Sequence, residues 1–422
     1  MSVPPDKGSK CRWSVFRPFS SWWHSVFAAL LMAAIPTAAQ VNVTTSRGNN
    51  QRTNVNTNET VLTPVNVNST SFGKLFSQSV DGYVYAQPLY VSNVSIGGVV
   101  HNVVYVATEH DSVYAFDADS KTGVNSQPLW HTSFLSSGVT SVPNGSLPSG
   151  STDINPEIGI TGTPVIDLST NTMYVAAETL ENNGTSFVKK LHALDITTGA
   201  DKPGSPIVIS ASVPGQTFLP ERQNQRAGLL LYNGVVYLAF GAHGDGTNLS
   251  LGWILGYSYN GASFSPVFVF CDEPSSVNGW GGGIWMAGQG LLMDTGSNLF
   301  VATGNGQFDT NITPPVDYGD SIIRLDLSKG PTVQDYFTPH DQASLAPNNQ
   351  DVGSGGIALL PDQSGPNPHL LVQAGKAGTI YVVNRQNMGH FDSSSDQVVQ
   401  EIPLAVQGVF SSPTYFNGKV YF

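Results

Sequence analysis

Cysteine is nearly missing: the 422 residues hold two, Cys11 and Cys271. Cys11 falls in an N-terminal segment that reads as removable, which leaves Cys271 alone and excludes an internal disulfide framework. Charge is scarce as well, at 11% of residues, and it leans acidic, with 30 Asp and Glu against 18 Lys and Arg and a net charge of −12. That balance excludes an electrostatic grip on nucleic acid or on an anionic membrane surface. No apolar run reaches the roughly 20 residues of an ordinary membrane span. The chain has no Gly-x-Ser-x-Gly elbow and no His-Glu-x-x-His pair, so the usual sequence support for hydrolase chemistry is absent. Gly304-Asn-Gly-Gln-Phe308 and Gly353-Ser-Gly-Gly356 are not phosphate loops, because neither leads into a helix or into Lys-Ser/Thr. A long apolar pattern of helical period is missing too.

Short alternating strands punctuated by glycine fill the chain instead. The first copy of the pattern is Pro88-Leu-Tyr-Val91, Val103-Val-Tyr-Val-Ala-Thr108 and Ser112-Val-Tyr-Ala-Phe-Asp117, closed by Thr122-Gly123 and Leu129-Trp130. It recurs from Thr163, Gly228, Gly290 and Gly356, and a sixth copy opens at Pro413. The third strands, ending at Asp117, Asp195, Tyr259, Asp326 and Asn384, stand roughly 60–80 residues apart. A four-stranded propeller blade needs roughly 40–50, so each unit is one blade plus a long loop. The expected fold is all-β, a β-propeller of four-stranded blades over residues 76–422, with about five and a half blades present. The last copy stops inside its second strand, which reads as truncation from a ring of seven or eight blades.

Ahead of the repeats lie Lys7, Lys10, Arg12 and Arg17, the apolar run Val26–Ile35, and the small residues Thr37-Ala38-Ala39. This is the layout of an export signal over residues 1–39, cleaved after Ala39. The expected location is therefore secreted or periplasmic, with no membrane span after cleavage. Residues 40–75, rich in Asn, Thr and Val, read as an extended leader or an irregular strand that joins the ring.

Reversal of the chain at each turn of a blade sorts its loops onto two faces. One face gets only short turns such as Asn233-Gly234 and Asn260-Gly261. The other gets the long, chemically varied loops, where a ligand is expected. Glu109-His110-Asp111 and His243-Gly-Asp245 occupy equivalent places on that face. Trp253, Trp280 and Trp285 lie beside Gly-rich stretches, and Asp317, Asp320, His340, Asp341 and Asp351 come from later loops. Arg226 precedes an innermost strand, where it can pair with Asp320 or Asp351 or hold a ligand carboxylate. Blander roles remain open for the others: Asx turns for Asp111 and Asp245, loop hydrogen bonding for His243, and wedging between blades for the tryptophans. Lys376, on a tight turn, reads as a solvated side chain.

The segment Ser112-Val-Tyr-Ala-Phe-Asp-Ala-Asp-Ser-Lys-Thr-Gly123, completed by Leu129-Trp130, resembles the tryptophan-docking repeat of the pyrroloquinoline-quinone (PQQ) propellers. Lys190-Leu-His-Ala-Leu-Asp-Ile-Thr-Thr-Gly199 matches its middle, and Ile323-Arg-Leu-Asp326 does so more loosely. The resemblance implies the propeller fold and a Trp that packs on the next blade. For the quinoprotein dehydrogenases of that family it further implies PQQ with calcium on the axis, stacked on a Trp. The adjacent cysteine pair common among them is absent here. The leading expectation is thus an exported binding or scaffolding propeller, its long-loop face taking a small molecule, a glycan or a protein partner. The alternatives are a PQQ- and calcium-dependent oxidoreductase acting on alcohols or sugars, and a polysaccharide-binding propeller. The enzyme reading assigns His243 and Asp245 as base and orienter, Arg226 to a PQQ carboxylate, Trp280 or Trp285 to stacking, and Asp320 and Asp351 to calcium.

Overall fold

Asn-Gly and Gly turns break the chain into strands too short to stand alone, so each must bury an apolar face against a neighbouring sheet. The computed structural model describes residues 41–244, 250–276 and 281–422. The segment read as an export signal and the candidates Asp245 and Trp280 lie outside these residues. Blade 1 is a sheet of β1 (Leu89–Ile96), β2 (Val99–Ala107), β3 (Ser112–Asp117) and β4 (Trp130–Ser133), in that spatial order. β5 (Thr140–Pro143) and β6 (Glu157–Ile158) precede blade 2, which holds β7 (Val165–Asp167), β8 (Thr172–Glu181), β9 (Ser186–Asp195) and β10 (Ile207–Val208). A small hairpin, β11 (Ser212–Val213) and β12 (Gln216–Thr217), leads to β13 (Gln223–Asn224). Blade 3 follows as β14 (Leu230–Tyr232), β15 (Val235–Ala242), β16 (Trp253–Tyr259) and β17 (Phe264–Cys271).

Blade 4 is β18 (Leu292–Met293), β19 (Asn298–Ala302), β20 (Ile322–Asp326) and β21 (Val333–Phe337). Blade 5 is β22 (Ile357–Leu359), β23 (Leu370–Ala374), β24 (Ile380–Asn384) and β25 (Gln400–Ile402). The hairpin β26 (Thr414–Phe416) and β27 (Lys419–Tyr421) forms the sixth unit. Every named pairing is antiparallel, which is what the alternation of Val, Tyr and Leu requires. Blades 1 and 2 share a core that includes Leu89, Val103, Trp130, Met173 and Val175, and blades 3, 4 and 5 share another around Phe300, Ile323 and Ile357. Among the described residues no helix is long and apolar enough to cross a membrane.

The resemblance's Trp does what it implies. Trp130 is 8% exposed, and its indole lies so close to Gly199 of blade 2 that a Cβ there would stand 2.5 Å from the ring. The segment 136–161 is less of a loop than expected. β8 runs far past its short partner β7, and β5 pairs the overhang from Thr140 opposite Leu180 and Ser141 opposite Thr179, sparing blade 2 an open edge.

The leader joins the ring as a strap. Val43 and Tyr90 exchange backbone hydrogen bonds of 2.8 and 2.9 Å, and Ile166 N–H donates to the Thr44 carbonyl at 2.8 Å. Asn50 then reaches blades 3 and 4, donating from Nδ2 to Leu231 O and accepting from Met293 N–H, each at 2.9 Å. Arg52, 2% exposed, donates to the carbonyls of Leu229 (2.9 Å), Leu291 (2.8 Å) and Ser46 (2.8 Å). Within a dozen residues the strap thus meets the innermost strands of four blades. From about Thr53 to Asp81 the leader carries no regular element and is mostly exposed.

Candidate functional site

The starts of the first strands and the ends of the second strands meet at one end of the axis, as alternating strand direction demands. They enclose a cavity of about 380 Å³. Its wall takes Tyr85 ahead of blade 1, Asn224, Arg226 and Ala242 from blade 3, Trp285 ahead of blade 4, Asp351 and Lys376 from blade 5, and Phe410 ahead of β26. This is the long-loop face.

Trp285 is fixed from behind. Its Nε1 donates to the Ala242 carbonyl at 3.0 Å. Gly241, Gly283 and Gly304 sit so near the ring that a Cβ on any of them would fall 2.4–2.6 Å from it. Three glycines from blades 3 and 4 thus make room for the indole, and Trp285 remains part of the cavity wall.

Arg226 lies against Gly288, where a Cβ would stand 2.7 Å from Nη1. Burial lowers its guanidinium from the ordinary value, opposed by the charge of Glu109. Among the described residues no carboxylate comes within ion-pair distance of it. Neither expected partner is available. Asp351, 1% exposed, is ion-paired with Lys376 and accepts from Asn305 N–H at 3.4 Å. Asp320 is fully buried off the cavity, in the left-handed region at φ 52°, and accepts from Val352 N–H at 3.2 Å. Lys376 is therefore no solvated turn residue, because the Asp351 carboxylate and Asn349 Oδ1, at 2.7 Å, hold it on the wall.

His243 points away. Its neighbours Ala242 and Gly244 line the cavity, while its imidazole, 3% exposed, reaches into blade 2 with Nε2 3.2 Å from Glu178 Oε2. Lys189 pairs with the same carboxylate. Burial would raise Glu178, but Lys189 and His243 outweigh it and hold it below its ordinary value. Next to this trio Glu109 accepts from Gly159 N–H (2.8 Å) and Thr161 Oγ1 (3.0 Å). Burial pushes Glu109 up to about 7 despite those bonds and the charge of Arg226.

Of the candidates read from the sequence, the fold gathers Arg226, Trp285 and Asp351 around one cavity and leaves His243 and Asp320 beside it. Lys376, Asn224, Tyr85 and Phe410 join the wall without a sequence signal of their own.

No protein-family model matches the chain, and neither does any curated protein sequence. Among solved structures, the quinohemoprotein alcohol dehydrogenase of Comamonas testosteroni superposes with a TM-score of 0.51 at 18% identity, over 87% of this chain and 50% of that one. A europium-containing methanol dehydrogenase superposes with a TM-score of 0.50 at 12% identity, over 78% of this chain and 54% of that one. The chain spans about half the length of these structures. At such identities the likeness is one of fold: this is a β-propeller similar to the quinoprotein alcohol and methanol dehydrogenase propellers.

Proposed function

We propose that the chain is a binding propeller whose axial cavity takes a small, flat, carboxylate-bearing molecule. The observation that carries this is Arg226: a partly buried guanidinium on the wall of a 380 Å³ cavity with no carboxylate among the described residues within ion-pair distance, on the same wall as the Trp285 indole. A cavity of that size suits a ligand of a few fused rings. Arg226 supplies a planar fork of donors for a carboxylate, and the Trp285 face supplies a surface for a ring.

PQQ, a planar tricarboxylic quinone, fits these two elements. A calcium on the same axis does not fit. Asp351 is already neutralised by Lys376, Asp320 stands off the cavity, and among the described residues no three acidic, His or Cys side chains converge on a metal. The residues thus support binding of the ring and its carboxylates and give no basis for a calcium-assisted oxidation. The binding module is therefore the reading favoured here over the quinoprotein oxidoreductase. The polysaccharide reading rests on the same Trp285 and leaves Arg226 without a role.

Titration of the protein with PQQ, followed by tryptophan fluorescence and by thermal midpoint, tests the proposal. A ligand bound only by the native state raises the midpoint, by roughly 2.7 kcal/mol of stability at a hundred times its Kd. The expected result is a shift with PQQ alone, weakened in Arg226→Ala. A shift that requires calcium and comes with dye reduction in the presence of an alcohol would restore the oxidoreductase. No shift with PQQ or simpler aromatic carboxylates would reject the cavity as an anion site.

A further inference from the structure

A second concentration of charge lies off the axis, where β17 ends at Cys271 and the chain turns beneath the blade 4 loop 303–320. Asp272 and Glu273 are both 0% exposed, and none of their four carboxylate oxygens completes a hydrogen bond. The Gly252 and Gln307 amides and the Ser276 hydroxyl lean toward them without closing one. Behind them stands Asp317, also fully buried, whose oxygens are satisfied by Ser275 N–H (2.9 Å), Ser275 Oγ (2.6 Å) and Gln307 Nε2 (2.8 Å). No Lys, Arg or His among the described residues is ion-paired with any of the three.

The backbone is shaped around the two free carboxylates. A Cβ at Gly306 would stand 1.7 Å from Glu273 Oε1, one at Gly282 1.9 Å from Asp272 Oδ2, and one at Gly252 2.5 Å from the same oxygen. The Gly281–Gly282 segment touches both side chains, a Cβ at Gly281 standing 2.9 Å from Glu273 Oε1, and Gly282 N–H donates to the Asn305 carbonyl at 2.8 Å. Burial drives both carboxyls well above their ordinary range, with Glu273 adding to Asp272 and Asp317 adding to both.

Uncompensated buried carboxylates cost several kcal/mol each, so the folded chain has to neutralise them with protons or with a cation. We propose that Asp272 and Glu273 form a binding site for a hard divalent cation, with calcium the best match. Hard carboxylate oxygens held in an irregular loop setting suit calcium's flexible coordination better than the strict octahedron of magnesium. No third acidic, His or Cys side chain among the described residues converges on the pair, so backbone carbonyls and solvent complete the shell. The site is distinct from the axial cavity, whose wall includes none of these residues.

Equilibrium dialysis of the whole chain against calcium, with thermal melts in EDTA, calcium and magnesium, decides the matter. Calcium is expected to bind and raise Tm, and magnesium to raise it less. Asp272→Asn and Glu273→Gln, near-isosteric and uncharged, are expected to abolish binding and the calcium-dependent rise while melting in EDTA at or above the wild-type temperature. Arg226→Ala, aimed at the axial cavity, is expected to leave the calcium response intact. If Arg226→Ala abolishes it, or if Asp272→Asn and Glu273→Gln leave it unchanged, the cation sits elsewhere and the proposal falls. A wild-type Tm that ignores calcium and drops only as pH rises would show that the pair holds protons instead, which also overturns it.

Discussion

The Trp130 indole of blade 1 donates from Nε1 to the Ile196 carbonyl of blade 2 at 2.9 Å. Tyr105 reaches the same carbonyl through its hydroxyl at 3.0 Å, its ring tilted against the indole at 5.7 Å. One backbone oxygen thus ties two sheets that share no ladder. Trp130→Ala removes a large buried side chain and one of two donors to that oxygen, so a loss of about 3–5 kcal/mol is expected in urea unfolding. A loss below about 1 kcal/mol would mean that the contact is incidental.

Arg52 secures the strap. Replacing it with Met keeps the apolar stem and strands the carbonyls of Leu229 and Leu291, which argues for about 2–5 kcal/mol of destabilisation. Arg52→Lys is expected to recover only part, because an ammonium cannot spread its donors as the guanidinium fork does. Thermal melts of the two variants check both expectations. Equal melting of wild type and Arg52→Met would dismiss the strap as a structural element.

The buried Glu109 predicts how stability varies with pH. Its folded pKa, about 7, lies above the ordinary 4.5, so the native state holds a proton that the unfolded chain releases. The contribution is fully present below pH 4.5 and is lost as pH rises through 7, amounting to about 3 kcal/mol from the shift. Asp111 is raised in the same sense by burial and by Glu109. Glu109→Gln should therefore flatten the fall in urea stability between pH 5 and 7.5. An unchanged slope would place the titrating group elsewhere.

His243 offers a contrast between a structural and a chemical role. Its contact with Glu178, buried with Lys189 behind it, leads to His243→Ala losing about 1–3 kcal/mol of stability with ligand affinity at the axial cavity unchanged. Unchanged stability with a large loss of affinity would place the imidazole in the cavity after all.

The blades were legible from sequence because a strand writes its period into its own residues, and turns such as Asn233-Gly234 and Asn417-Gly418 sit where tight reversals need positive φ. The docking role of Trp130 was legible for the same reason, through the repeat that contains it. Loop sorting pointed to the face on which the cavity opens, since chain reversal is a property of order along the sequence, and it brought Arg226, Trp285 and Asp351 forward as candidates.

Pairing across blades is not written locally. That Lys376 takes Asp351, and that no described carboxylate pairs Arg226, depends on how neighbouring blades bring their loops together, and no spacing along the chain encodes it. The same holds for His243 turning into blade 2, for Arg52 reaching carbonyls 177 and 239 residues away, and for glycines from three loops crowding Asp272 and Glu273. Short-range periodicity decides that this chain makes blades. The desolvation of charges, which depends on everything packed around them, decides which of those charges are free to meet a ligand.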